Sequence, residues 1–173
     1  MTRPDALSYK IACLCDLRDA RGRVLLLERA KNPNKGLFSP IGGKLDTALG
    51  ESPTRCAQRE IHEETGLVIP VERLHLGGII SEQAFGGDTN WLMFWFRVLG
   101  PVELEPVEMN EGRLDWHEPE SITDLPLPAT DREVIWPVVN RHDGGFFALH
   151  IDCRQEPMAW TLEESRPGPN PGG

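Results

Sequence analysis

No stretch of this chain is long and apolar enough to cross a bilayer as a helix. The longest apolar run, WLMFWF at residues 91–96, has only the length of a strand. Residues 1–14 hold no extended apolar core, and Asp5 stands where a secretory leader would need one, so no leader is expected. Basic residues are few, 18 against 27 acidic ones, for a formal net charge of −9. That balance argues against polymeric nucleic acid or an anionic lipid surface as main partner, because both need a basic footprint. A small anionic substrate stays open, since a bound metal ion reverses the local field. Cysteine is scarce and badly spaced for zinc: Cys13 and Cys15 form C-x-C with no second pair downstream, and Cys56 and Cys153 stand apart. All four are expected to be reduced core thiols of a cytoplasmic protein. The five histidines show no metal-ligand spacing and no internal repeat is visible. A Walker loop is absent too, because Gly42-Gly43-Lys44 is followed by Leu45 rather than by Ser or Thr.

What remains is a chain of 173 residues, 39% hydrophobic and 26% charged, which fits one folded domain with a real core. Apolar residues 9–16 and 24–27, separated by the polar turn 18–22, read as a hairpin. Residues 31–36 (KNPNKG) are a loop, and residues 38–43 form a short strand that breaks at two glycines. Ser52-Pro53 reads as a helix start and Gly66 as its stop. Strand-like runs follow at 73–81 and 91–98, joined through Phe85-Gly86-Gly87-Asp88, and another at 113–117. A second helix is expected over 131–142, then closing strands at 146–151 and 158–162. The domain is expected over residues 1–165, with RPGPNPGG at 166–173 as a disordered tail. Strands interrupted by two helices suggest an α+β fold or an α/β/α sandwich.

The first helix carries the chemical signal. At 100° per residue, Glu60, Glu63 and Glu64 share one wedge, while Ala57 and Ile61 lie beside it and can face a core. Like charges three and four residues apart cost about 0.2–0.5 kcal/mol per pair. These also lie toward the helix C-terminus, where the macrodipole disfavours anions. Arg59 can pair with Glu63, but one cation does not neutralise three carboxylates, whereas a hard divalent ion with oxygen ligands does. Taken alone, a glutamate-rich face is more often simply solvated; the residues upstream decide the matter.

Glu51, seven residues, then Arg59-Glu60-Ile61-His62-Glu63-Glu64-Thr65-Gly66-Leu67 matches G-x5-E-x7-R-E-U-x-E-E-x-G-U (U apolar) at every defined position from Glu51 onward. Gly42-Gly43-Lys44 resembles the glycine segment ahead of it, except that seven residues, not five, separate Gly43 from Glu51. The extra two are placed in the loop 46–50. The chain thereby resembles the Nudix (MutT-like) hydrolases, and the order of elements extends the likeness over residues 10–162. The C-terminal part, with Trp116, Asp131, Trp136-Pro137 and Gly145-Phe146-Phe147, loosely resembles the subgroup acting on purine nucleoside triphosphates, oxidised ones included.

The resemblance implies the Nudix α/β/α sandwich, an α+β fold with a mixed sheet between helices. It also implies a Mg²⁺-dependent pyrophosphohydrolase, with Mn²⁺ as substitute. Glu60 and Glu64 would hold the metal, with Glu63 as ligand or water activator and the Gly42 carbonyl as a further ligand. Glu51 would orient Arg59, which holds the carboxylates. Glu111 stands where related enzymes often place another acid, with Glu105, Glu108 and Glu118 as nearby competitors. For the substrate, Arg29 is a candidate for phosphate, Phe38 and Ser39 for the base pocket, and Asp131 for a purine edge, against its plainer role as a helix start. Ala129 stands near where the triphosphatase subgroup has a stacking aromatic, which weakens the purine expectation. The tryptophans are read as core or rim. A nucleoside triphosphate cleaved to monophosphate and pyrophosphate is thus expected. ADP-ribose, a nucleotide sugar or a dinucleoside polyphosphate is the alternative, and a non-catalytic regulatory module a third reading. Both monomer and homodimer stay open.

Overall fold

Ser52 and Gly66 set the ends of the first helix. The Ser52 hydroxyl accepts the Arg55 N–H at 3.2 Å, Pro53 occupies the first turn, and Gly66 (φ 75°) returns its N–H to the His62 carbonyl. A glycine adopts this left-handed geometry without the Cβ penalty. The helix, α1 (Pro53–Thr65), buries Cys56, Ala57 and Ile61, and Glu60 and Glu64 lie beside that buried face. The computed structural model describes residues 6–169, and Asp5 lies outside that range.

Nine strands surround it: β1 (Ser8–Asp16), β2 (Val24–Arg29), β3 (Phe38–Lys44), β4 (Leu74–Phe85), β5 (Thr89–Val98), β6 (Val107–Met109), β7 (Gly112–His117), β8 (Phe146–Asp152) and β9 (Ala159–Arg166). They pair in the order β6-β7-β2-β3-β1-β5-β4-β8-β9. The sheet is mixed: β1 runs parallel to β5 and β4 parallel to β8, and the other pairs are antiparallel.

The expected hairpin of the first two strands is not formed, because β3 lies between them. Its first half pairs with β2 (Leu27 opposite Ser39) and its second half with β1 (Leu14 opposite Gly42). The Arg18–Val24 bridge and the Leu25 N–H to the Leu17 carbonyl join the segment just after β1 to β2. Nor does β3 break at its glycines; it runs on to Lys44, since β1 supplies partners through Gly42 and Gly43.

Two apolar layers flank the sheet. One, under α1, contains Cys13, Cys15, Leu27, Ile41, Cys56, Ala57 and Ile61. The other contains Leu26, Ile80, Met93, Trp95, Leu149 and Ile151 against Val134, Trp136 and Val138 of the second helical region. That region begins as helix at Ala129 and Thr130, widens over Asp131–Ile135 and tightens into α2 (Trp136–Arg141). Pro137 explains the change, because it has no N–H to close an ordinary helical bond onto residue 133. Among the described residues no helix is long and apolar enough to cross a membrane.

The C-terminal boundary differs from expectation. Arg166 is the last residue of β9, opposite Phe146, and Gly168 packs so closely on Asp143–Gly145 that a Cβ would collide with backbone. Strand pairing, which composition does not reveal, carries the ordered chain past residue 165; residues 170–173 lie outside the described range.

Candidate functional site

The glutamate wedge of α1 faces the glycine pair of β3. Glu64 Oε2 accepts the Gly42 N–H at 3.3 Å. A Cβ on Gly43 would lie against all three carboxyl atoms of Glu60, so the missing side chain is what lets Glu60 reach the sheet. Gly42 is enclosed differently: a Cβ there would strike the Cys13 carbonyl of β1.

Arg59 ties the wedge to the loop before the helix. Its Nε and Nη2 donate to the two oxygens of Glu51 at 2.8 and 2.9 Å, Nη2 also reaches the Lys44 carbonyl at 3.1 Å, and Nη1 donates to Glu60 at 2.9 Å and Glu63 at 3.2 Å. Bidentate pairing of this kind fixes direction as well as charge. Arg59 lowers the Glu51 carboxyl to about 2, and Glu51 in turn holds the guanidinium above its ordinary range. The two additional loop residues leave this intact. The loop closes on itself through Asp46 N–H to Glu51 Oε2 (2.9 Å), Glu51 N–H to the Asp46 carbonyl (3.0 Å) and Leu49 N–H to Asp46 Oδ1 (3.1 Å), with Leu49 out in solvent.

The three glutamates are not equivalent. Glu63 is half exposed and turned toward Arg59. Burial raises Glu60, against the pull of Arg59. Burial, with help from Glu60 and Glu111, pushes Glu64 up to about 8, opposed by the Gly42 N–H and the charge of Arg29. Glu111 acts on both of these partly buried carboxylates from the turn between β6 and β7. Its backbone carbonyl is anchored by the Ala30 N–H at 2.8 Å, and Gly112 follows at a φ of 150°, where a Cβ would collide with the Glu28 carbonyl. Two competitors are engaged elsewhere, Glu108 with Arg113 and Glu118 with Arg21.

The donor set suits a hard divalent cation: carboxylate oxygens, those of Glu60 and Glu64 raised by burial despite the pull of Arg59 and Arg29. Among the described residues, however, no three acidic, histidine or cysteine side chains converge into a ready coordination sphere. The repelling carboxylates would have to be drawn together by a bound ion.

The expected base pocket is split. Adjacent strand residues point to opposite faces. Phe38 packs on the α2-side layer, edge-on to His117 at 5.2 Å. Ser39 lies opposite Leu27, whose layer is the one under α1. Asp131 is on the Phe38 side. It is not a helix cap, since helical backbone already runs through Ala129 and Thr130 and no capping bond forms. Burial raises its carboxyl to about 6. Arg29 donates to the Pro33 carbonyl at 3.1 Å and lies near enough to favour ionised Glu64. One residue was missed: Glu82 of β4 is 4% exposed, held up at about 7 by burial and by Asp131. Its place in an apolar strand was the available signal.

A family model described as NUDIX domain matches residues 9–137. The Bacillus subtilis protein YvcI, described as an uncharacterized Nudix hydrolase, is 32% identical over 116 residues, 65% of this chain and 69% of its own. An oxidized purine nucleoside triphosphate hydrolase of Danio rerio is 33% identical over 115 residues, 66% of this chain and 69% of its own. Among solved structures, a MutT protein from Bacillus halodurans superposes with a TM-score of 0.70 at 27% identity, covering 89% of this chain and 97% of that one. A MutT protein from Methanosarcina mazei gives 0.66 at 25% identity, over 78% and 95%.

Proposed function

Since the chain belongs to the Nudix family and is a Nudix hydrolase, we propose that it cleaves a purine nucleoside triphosphate, oxidised forms included, to monophosphate and pyrophosphate with Mg²⁺ as its metal. The observation that carries this is the placement of Glu60 and Glu64, partly buried against Gly42 and Gly43 with Glu111 acting on both. Carboxylates are not kept desolvated and mutually repelling for stability's sake.

Glu60 and Glu64 would hold the ion, with Glu63, Glu111 and the Gly42 carbonyl able to complete its shell. The bound ion would neutralise phosphate oxygens and position a water for attack. Glu63 or Glu111, both exposed, would serve as the base that takes a proton from the attacking water. Arg59 fixes Glu60 and Glu63, and Arg29 supplies positive charge for a phosphate. Phe38 offers an aromatic face to the base and Asp131 a carboxylate to its edge. The relationship to the Danio rerio enzyme supports the substrate class.

A panel of dGTP, 8-oxo-dGTP, ATP, ADP-ribose and a dinucleoside polyphosphate, with Mg²⁺ and with products identified, tests this. The expected result is a preference for a purine triphosphate with pyrophosphate released. AMP and ribose 5-phosphate from ADP-ribose as the preferred reaction would reject the substrate and leave the family in place.

A further inference from the structure

The cysteines have no role in the chemistry just described, and all four are free thiols. Two of them meet. Cys13 of β1 and Cys56 of α1, 43 residues apart in sequence, bring their sulfurs to 3.1 Å, and both are fully buried. Cys15 is a second neighbour of Cys13. It is a poor bridging partner, because residues i and i+2 of one strand stand about 6.6 Å apart, near the upper limit for a disulfide. Cys13 and Cys56 come from different elements, and their sulfurs need to close by only about an ångström to reach covalent distance.

This contact lies directly beneath the site. Cys56 Sγ is 3.6 Å from the Gly43 carbonyl and 3.8 Å from Arg59 Nη2, one helical turn before Glu60. Glu51 touches the same sulfur, so Cys56 sits against both members of the Arg59–Glu51 clasp, whose guanidinium side chain is 35% exposed. The clasp is thus the cover between Cys56 and solvent.

We propose that Cys13 and Cys56 are a reversible oxidative modification site, which a hydroperoxide converts to a disulfide joining β1 to α1; the loss of turnover that follows rests on the metal-site reading above. The Cys56 sulfur attacks one peroxide oxygen, the O–O bond breaks, and the thiol proton leaves with the other oxygen as water. The Cys13 sulfur then displaces the hydroxyl of the resulting sulfenic acid, forming the S–S bond and a second water. Each sulfur is oxidised by one electron, and the peroxide is reduced by two. The Cys15 thiol and burial hold Cys13 above its ordinary range, and Cys13 and burial do the same to Cys56. The step is therefore slow while the clasp is closed and proceeds as it opens. The new bond draws Cys56 toward β1, and Glu60, one turn on along the same helix, moves with it. A displacement of about an ångström costs about 10²-fold in rate. A dithiol reverses the bond by exchange.

The test is to treat the full-length protein with hydrogen peroxide, remove the peroxide, and record intact mass, a non-reducing peptide map and kcat on the best substrate of the panel above. The expected result is loss of two hydrogens, a Cys13–Cys56 linked peptide and a kcat lower by about 10²-fold, all reversed by dithiothreitol. Cys153→Ala should behave as the parent and Cys13→Ala should give no linked peptide. Glu51→Ala, with its clasp broken, should form the link about tenfold faster. A parent that keeps its free thiols, a link made through Cys15 or Cys153 instead, or a Cys13–Cys56 link that leaves kcat unchanged overturns the proposal. The parent's peptide map decides the pairing whether or not Cys13→Ala folds. Mass reads the link without any substrate, so a preference for ADP-ribose would reject the proposed reaction and leave the thiol pair standing.

Discussion

Gly43 and Glu60 occupy what would otherwise be a single space: a Cβ on the glycine would meet Oε1, Oε2 and Cδ of the glutamate. The neighbouring glycine is closed by main chain instead, the Cys13 carbonyl of β1. A carboxylate at the end of a flexible side chain can move aside, whereas a paired strand cannot.

Gly43→Ala should therefore fold and lose activity. Displacing Glu60 by about an ångström should lower kcat by about 10²-fold, with a melting temperature close to the parent's. Gly42→Ala should instead destabilise by about 1–3 kcal/mol. Steady-state kinetics and denaturant titration of both variants check the contrast, and equal stability losses would contradict it.

Glu64→Gln should cut kcat by orders of magnitude and, without metal, stabilise the fold. The substitution removes a buried charge already pushed up to about 8 by burial and by Glu60. In the parent, Mg²⁺ or Mn²⁺ should raise the melting temperature, because an ion that binds only the native state stabilises it. That rise should be largely lost in Glu64→Gln and in Glu60→Gln. Normal turnover in either folded variant would remove the metal assignment.

Glu82 gives a pH signature. Its folded pKa of about 7 lies above the ordinary 4.5, raised by burial first and by Asp131 second, with Thr130 opposing. Between those values the native state binds more protons than the unfolded chain, so this group makes stability fall as pH rises through about 4.5 to 7. Glu82→Gln should be more stable than the parent at pH 8, by on the order of 1–3 kcal/mol. The gain should vanish near pH 4.5. Urea titrations of the two proteins at both pH values decide it, and a gain of equal size at both would show that ionisation is not the cause.

Glu51 and Arg59 should matter more than the length of the loop before them. Glu51→Ala removes the bidentate partner that aims Arg59 at Glu60 and Glu63, and kcat/KM should fall by about tenfold or more. Deleting Thr47 and Ala48 restores the five-residue spacing and should leave kcat/KM within about twofold. A loss in the deletion as large as that in Glu51→Ala would mean that the loop itself takes part in substrate binding.

The sequence by itself determined what depends on neighbours along the chain. Ser52, Pro53 and Gly66 bound α1 locally, and its 3.6-residue period turns Ala57 and Ile61 inward and Glu60 and Glu64 toward the sheet. The Glu51–Arg59 pairing was expected from the resemblance to the Nudix motif, and the structure forms it across the start of α1. Pairings between distant segments were decided only by the tertiary structure. No local signal says that β3 slots between β1 and β2, because register is set when apolar faces are buried together. Yet that slot puts Gly42 and Gly43 against the glutamates. Alternation along β3 likewise separates Phe38 from Ser39, both of which the family resemblance assigns to the base pocket. Glu111 and Glu82 show the same limit: one is brought to the carboxylates by the β6–β7 turn, the other is set beside Asp131 by the packing of β4 against the second helical region. Charge and spacing identified the chemistry, and long-range burial decided which acids it brought together.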